Sequence, residues 1–188
     1  SHGDDEIFSR QQFLQWFNLD HLGKSAAQFD EAKLRWVNAQ HMKAMADEQL
    51  AELVRPFLSE HARAGLDVTR RVAACALLKD RCSTLVELAE WLALLVTDEL
   101  VSAEDIRAQV PADVKPAVDK LAELLAACEW SKAGIAAAIK QVLLDTGLKM
   151  PQLAMPVRVL VAGRQQTPSL DAILELMVRE DVIVRLKI

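Results

Sequence analysis

Asp67 to Leu95 reads DVTRRVAACALLKDRCSTLVELAEWLALL. Val68, Val72, Cys75 and Leu78 recur at the three-to-four-residue spacing of a helix face, and Leu85, Leu88, Leu92 and Leu95 do the same after the polar link Lys79-Asp80-Arg81-Cys82-Ser83. Two stripes of this kind joined by so short a link must fold back on one another, because each buries its apolar face only against the other. The stretch is therefore a helical hairpin, and its punctuation recurs in both directions.

Upstream, Ser9 followed by Gln12 is a capping box for a helix over Arg10 to Phe17. Asp30 can cap a longer helix from Glu31 to about Ala46, with Leu34, Val37, His41 and Met45 on one stripe. Asp47 caps the next, which carries Leu50, Leu53, Val54, Phe57 and Leu58, is kinked or restarted by Pro56, and ends at Gly65. Downstream, Val96 to Val101 reads as a seam, and a short helix ends before Pro111. Further helices are predicted from Asp113 to Cys128, from Ser131 to Leu144 with Gly147 as cap, and from Pro151 to Val161 before Gly163. The last two run from Pro168 to Val178, with Thr167 as N-cap, and from Val182 to Lys187.

The expected fold is all-α, two consecutive helical bundles with domains at 1–101 and 102–188 and the boundary near Leu100 to Ser102. Composition agrees: 52% of the 188 residues are apolar, whereas glycine and proline number six each. No apolar run approaches a membrane span and the first residues are acidic, so the protein is expected in the cytoplasm. Net charge is −5, but its excess acid lies in residues 1–102, with 16 acidic and 11 basic side chains. From Lys149 onward six basic residues face four acidic ones.

Catalytic signatures are absent from these residues. There is no glycine-rich phosphate loop, nucleophile elbow or zinc-protease helix, and the four histidines share no ligand spacing, so neither catalytic nor metal-binding residues are assigned. Cys75, Cys82 and Cys128 suit buried apolar positions, the four tryptophans suit the core, and His41 suits a packed, hydrogen-bonded position. Paired carboxylates such as Asp30-Glu31 and Glu180-Asp181 fall at helix starts, where they complement the helix dipole.

Two segments carry more than a bundle needs. One is the basic turn around Arg81; the other runs from Leu148 through Pro156-Val157-Arg158 to Thr167-Pro168-Ser169-Leu170. Arg158 stands alone in an apolar stretch, where a guanidinium on a rigid helix can donate a fork of hydrogen bonds to a base edge, or can pair with a carboxylate such as Glu175. These residues, with Gly147-Leu148-Lys149 before them, resemble the anticodon-binding domain of bacterial glutamyl-tRNA synthetases of class I. Asp4 to Ser9, Phe29-Asp30 and Lys33-Leu34-Arg35-Trp36-Val37-Asn38 resemble the stem-contact region that follows the catalytic domain in that family.

The resemblance spans essentially the whole chain. It implies a non-catalytic, C-terminal fragment of a glutamate–tRNA ligase that binds tRNA(Glu) as a monomer. Glutamate attachment, with its ATP and Mg, would belong to a catalytic domain upstream, and no cofactor is expected in this chain. By match of position, Arg158 corresponds to the family arginine that reads the first anticodon base, and Thr167, Pro168 and Leu170 to residues lining the anticodon pocket. Arg81 corresponds to the arginine that rejects a glutamine anticodon through its third base, and Lys33, Arg35 and Asn38 to stem contacts. The chain departs from the pattern at His41, where tyrosine is common, and at Met155, where glutamine often precedes the proline. An alternative from a different class is a helical protein-interaction scaffold, which the acidic first half would also suit.

Overall fold

The computed structural model describes residues 6–19, 28–97 and 110–187, and among these every regular element is helical. In the first half the helices are α1 (Arg10–Trp16), α2 (Glu31–Ala44), α3 (Asp47–Val54), α4 (Glu60–Gly65), α5 (Val68–Leu78) and α6 (Leu85–Leu94). The second half holds α7 (Lys115–Ala127), α8 (Lys132–Thr146), α9 (Met150–Ala162), α10 (Leu170–Glu175) and α11 (Arg179–Leu186). The predicted seam beyond Thr97 and the short helix before Pro111 lie largely outside the described residues.

Most helix starts are held by the side chain just ahead of them. Ser9 and Gln12 form the reciprocal capping box, with Gln12 N donating to Ser9 Oγ at 3.2 Å and Ser9 N to Gln12 Oε1 at 2.8 Å. Asp30, Asp67 and Ser131 each accept a backbone N–H three residues on, at 2.9, 2.8 and 3.2 Å. Gly147 and Gly163 end α8 and α9 with φ of 70° and 61°, the left-handed cap that glycine enters without strain.

At three predicted boundaries a tertiary contact or a proline sets the local detail. Asp47 is the first residue of α3 rather than its cap; its carboxylate is engaged 2.8 Å away by the Lys79 ammonium, so a tertiary ion pair has displaced the local bond. Around Pro56 the chain tightens into a 3₁₀ turn (Arg55–Phe57) and restarts as α4, capped by Ser59. Gly65 closes α4 without a left-handed turn, and close packing accounts for the residue: a Cβ there would stand 3.1 Å from Val96.

The hairpin of α5 and α6 packs on α3, burying Leu50, Val54, Cys75, Leu78, Leu88 and Leu92. In the second half α8 lies against α7 and α10, while α11 packs on α7 and α9. Two arginines join the two halves. Arg185, 4% exposed, donates to the carbonyls of Leu94 at 3.2 Å, Thr97 at 2.6 Å and Val161 at 2.5 Å, which ties the C-terminal ends of α6 and α9 to α11. Arg70 reaches across to the Leu176 carbonyl at 2.7 Å.

The N-terminal elements differ from the predicted core. No residue of α1 is buried, and Phe8, Phe13, Trp16 and Phe17 stack mainly on one another. Along α2 only Met42 is buried, so the stripe read through Leu34 and His41 faces outward; His41 is exposed and Trp36 is 44% exposed. Of the four tryptophans Trp91 alone is fully buried, and Trp16 and Trp130 are half-buried.

Candidate nucleic-acid interface

Helix α9 begins with Pro151 in its first turn and carries Pro156 inside it, where a missing N–H leaves one rung of the ladder open. Its inner face, Leu153, Ala154, Val157 and Leu160, is buried. Arg158 follows on the flank. Its side chain lies along a pocket of about 200 Å³ whose walls come from three helices: Ala136 and Ile139 of α8, Met150 and Ala154 of α9, and Ser169, Leu170 and Asp171 at the start of α10. Arg158 Nε is shut off from solvent and has no hydrogen-bond partner. Arg158 makes no ion pair with Glu175, whose Oε1 accepts the backbone N–H of Lys132 at 2.8 Å. An unmet buried donor costs about 1–3 kcal/mol, which a bound acceptor would recover. The site is thus an apolar recess with one cation and one anion on its wall, suited to hydrogen-bonding a planar polar edge.

The other expected anticodon residues divide. Leu170 lines the same pocket as Arg158. Thr167 and Pro168 are buried behind it, with the Thr167 hydroxyl donating to the Pro168 carbonyl at 2.9 Å, so these two shape the loop that delivers Ser169 to Asp171. Thr167 is not the helix cap: α10 starts at Leu170, with Ser169 at the cap position but making no side-chain cap bond, and Pro168 lies before the helix rather than at N1. Arg81 sits on an exposed 3₁₀ turn (Lys79–Arg81), away from the pocket lining, with no hydrogen bond or ion pair among the described residues.

The link that follows this turn is braced by two of the residues expected at the stem. Arg35 donates to Ser83 Oγ at 3.1 Å and pairs with Glu87, and Asn38 Nδ2 donates to the Ser83 carbonyl at 2.5 Å. Glu87 in turn accepts the Ser83 N–H at 2.7 Å and its hydroxyl at 2.9 Å. The Ser83 backbone bond, then the Ser83 hydroxyl and the Arg35 charge, hold the Glu87 carboxyl below the usual carboxylate range. Lys33 pairs with Glu6 and lies 4.9 Å above the Trp36 ring. Arg35 and Asn38 therefore present the Arg81 turn as a firm basic corner, while their own polar groups are largely spent on doing so.

One arginine that sequence reading passed over stands nearby. Arg164, just past the Gly163 cap, lies 4.4 Å over the Trp91 ring and 3.9 Å from Glu90, clamping the end of α9 to α6. Its position directly after a left-handed glycine was the available signal. Cys75 and Cys82 carry no chemistry: burial pushes their thiols up to about 12 and about 11, so both stay protonated and inert. Among the described residues no group of three or more His, Cys, Asp or Glu could hold a metal ion, and no helix is long and apolar enough to cross a membrane.

Comparison with known proteins adds an independent line. Residues 49–188 match the family model described as anticodon binding domain. The whole chain is 74% identical to part of a glutamate–tRNA ligase of Polaromonas sp. strain JS666 and 72% identical to part of one from Polaromonas naphthalenivorans. In each case it spans 40% of the relative's length. Among solved structures it is similar to a glutamate tRNA ligase from Elizabethkingia meningosepticum, with a TM-score of 0.82 at 20% identity, covering 97% of this chain and 36% of that one. That likeness is one of fold.

Proposed function

The chain belongs to the anticodon-binding domain family, and on that basis we propose that it is the part of a glutamate–tRNA ligase that holds the anticodon of tRNA(Glu). The observation that carries the reading is Arg158: a cation with a dry, unpartnered Nε in an apolar pocket. Anticodon bases are unstacked, so they can be splayed into such a pocket and hydrogen-bonded along their Watson–Crick edges. Leu170 supplies apolar wall, Thr167 and Pro168 hold the loop behind it, and Arg81 offers a second, exposed guanidinium for another anticodon base. Lys33, Arg35 and Asn38 lie on the α2 face that would approach the stem, with Lys33 the most available to a phosphate, since its partners are exposed.

In the intact protein, glutamate would be joined to tRNA(Glu) at the expense of ATP, with Mg, by residues outside this chain, which spans 40% of its curated relatives. The protein would work as a cytoplasmic monomer. The experiment is equilibrium binding of tRNA(Glu) to wild type and Arg158→Ala. Loss of one bidentate base contact weakens binding by about 1–3 kcal/mol; equal affinity in a folded sample would remove Arg158 from the interface.

A second reading has its own observation. Phe13, Leu14 and Phe17 of α1 are 43%, 65% and 47% exposed, an apolar face of the kind a protein partner covers. Salt separates the two, because phosphate contacts make affinity fall steeply with ionic strength and an apolar contact does not.

A further inference from the structure

We infer that Asp171 is the acceptor half of the Arg158 pocket, so that the site takes the polar edge of an unpaired nucleobase and refuses a phosphate. The inference rests on the anticodon reading above and narrows it to a chemical class of ligand. Arg158 and Asp171 line one cavity from opposite elements, α9 and the first turn of α10. They carry opposite charges, yet they are not within ion-pair distance of each other, and neither has a hydrogen-bond or ion-pair partner among the described residues. Two half-buried, complementary groups left apart in this way flank a gap, and what fills it must accept on one side and donate on the other.

A phosphate cannot do this. It offers acceptors only, and seated on Arg158 it would stand against the Asp171 carboxylate, with the Ser169 hydroxyl as the sole further polar side chain on the wall. A nucleobase edge does it naturally, since each base sets N–H groups beside ring nitrogens or carbonyls. The remaining wall, Ala136, Ile139, Met150, Ala154 and Leu170, is apolar and suits the face of a ring. A carboxylate in the first turn of a helix also complements the helix dipole. That role alone predicts a change in folding stability and none in RNA binding, so the two are separable.

The test is equilibrium binding of the intact protein to tRNA(Glu), and to copies in which single anticodon nucleotides are made abasic, across a salt series. Arg158→Ala and Asp171→Ala should each weaken the unmodified RNA about tenfold. Neither should cost anything further on the copy that lacks the pocketed base. The slope of log affinity against log salt should be the same for wild type and both variants, since no phosphate contact is lost. Asp171→Asn, which keeps the shape and one acceptor, should lose less than Asp171→Ala at an unchanged unfolding midpoint.

A penalty for Arg158→Ala with none for Asp171→Ala overturns the inference and leaves the anticodon reading standing. Tighter binding by Asp171→Ala, together with a salt slope about 0.7 shallower in Arg158→Ala, marks a phosphate site and overturns it too. Indifference of both variants removes the anticodon reading and this inference with it.

Discussion

Arg158 shows how a single residue can be held ready at a cost to the fold. Its Nε has been taken out of water without a partner, and an unsatisfied donor of this kind lowers stability unless a ligand completes it. Arg158→Met keeps the length and apolar stem while deleting the donor. The expected outcome is an unfolding midpoint equal to or above that of wild type, with weaker tRNA(Glu) binding. A midpoint several degrees lower would mean that the guanidinium is structural. The sequence made this residue visible because a lone arginine in an apolar run is a contradiction at the level of pattern, and functional sites are where such contradictions gather. Asp171 was invisible in the same text: an acid at a helix start is ordinary, and only the fold brings it to the arginine's pocket.

At the scale of elements, legibility follows the range of the interaction that sets each boundary. Caps at Ser9, Asp30, Asp67 and Ser131 were readable because donor and acceptor lie three residues apart. Asp47 misled because its carboxylate answers to Lys79, and Thr167 because its hydroxyl turns to the neighbouring Pro168 carbonyl. The same logic ranks two glycines. Gly147 has φ of 70° and open space around its absent Cβ, so Gly147→Ala should cost only the left-handed strain, about 1–2 kcal/mol. Gly134, in the first turn of α8, has the backbone carbonyl of Glu129 where a Cβ would stand. That oxygen also accepts the Ser131 N–H at 2.9 Å and cannot yield cheaply, so Gly134→Ala should lose more in urea unfolding than Gly147→Ala. The reverse order would show that the α8 entry relaxes.

The turn before α6 adds a pH test. Glu87 is held below its ordinary pKa in the folded state, so its contribution is present above the unfolded carboxylate pKa and disappears as pH falls through the depressed folded one. In thermal unfolding between about pH 3 and pH 7, Glu87→Gln should be less stable than wild type at neutral pH, and the gap should close on the acid side. A gap that persists undiminished at the acid end would assign the effect to shape rather than charge.

Across the whole molecule the organising contacts are long-range and were silent in the sequence. The last helices carry arginines that look like surface charges, yet Arg185 is 4% exposed and spans 88 to 91 residues of sequence to reach Thr97 and Leu94. It thereby couples α6 in the first half to α9 and α11 in the second. We propose that the chain divides near Leu100 to Ser102, and Arg185 is the residue whose removal tests how independent the halves are. Arg185→Ala strips a charged donor from three carbonyls at once, that of Val161 buried and those of Leu94 and Thr97 partly so, a loss on the order of 3 kcal/mol or more. For a chain of this size that lowers the midpoint by roughly 6–12 °C. If the halves are separate domains clamped by this residue, the variant should unfold in two steps, and scanning calorimetry would resolve a second transition. A single cooperative transition at the lower temperature would mean that the core, one cluster reaching from Met42 to Leu186, unfolds as one body with or without the clamp.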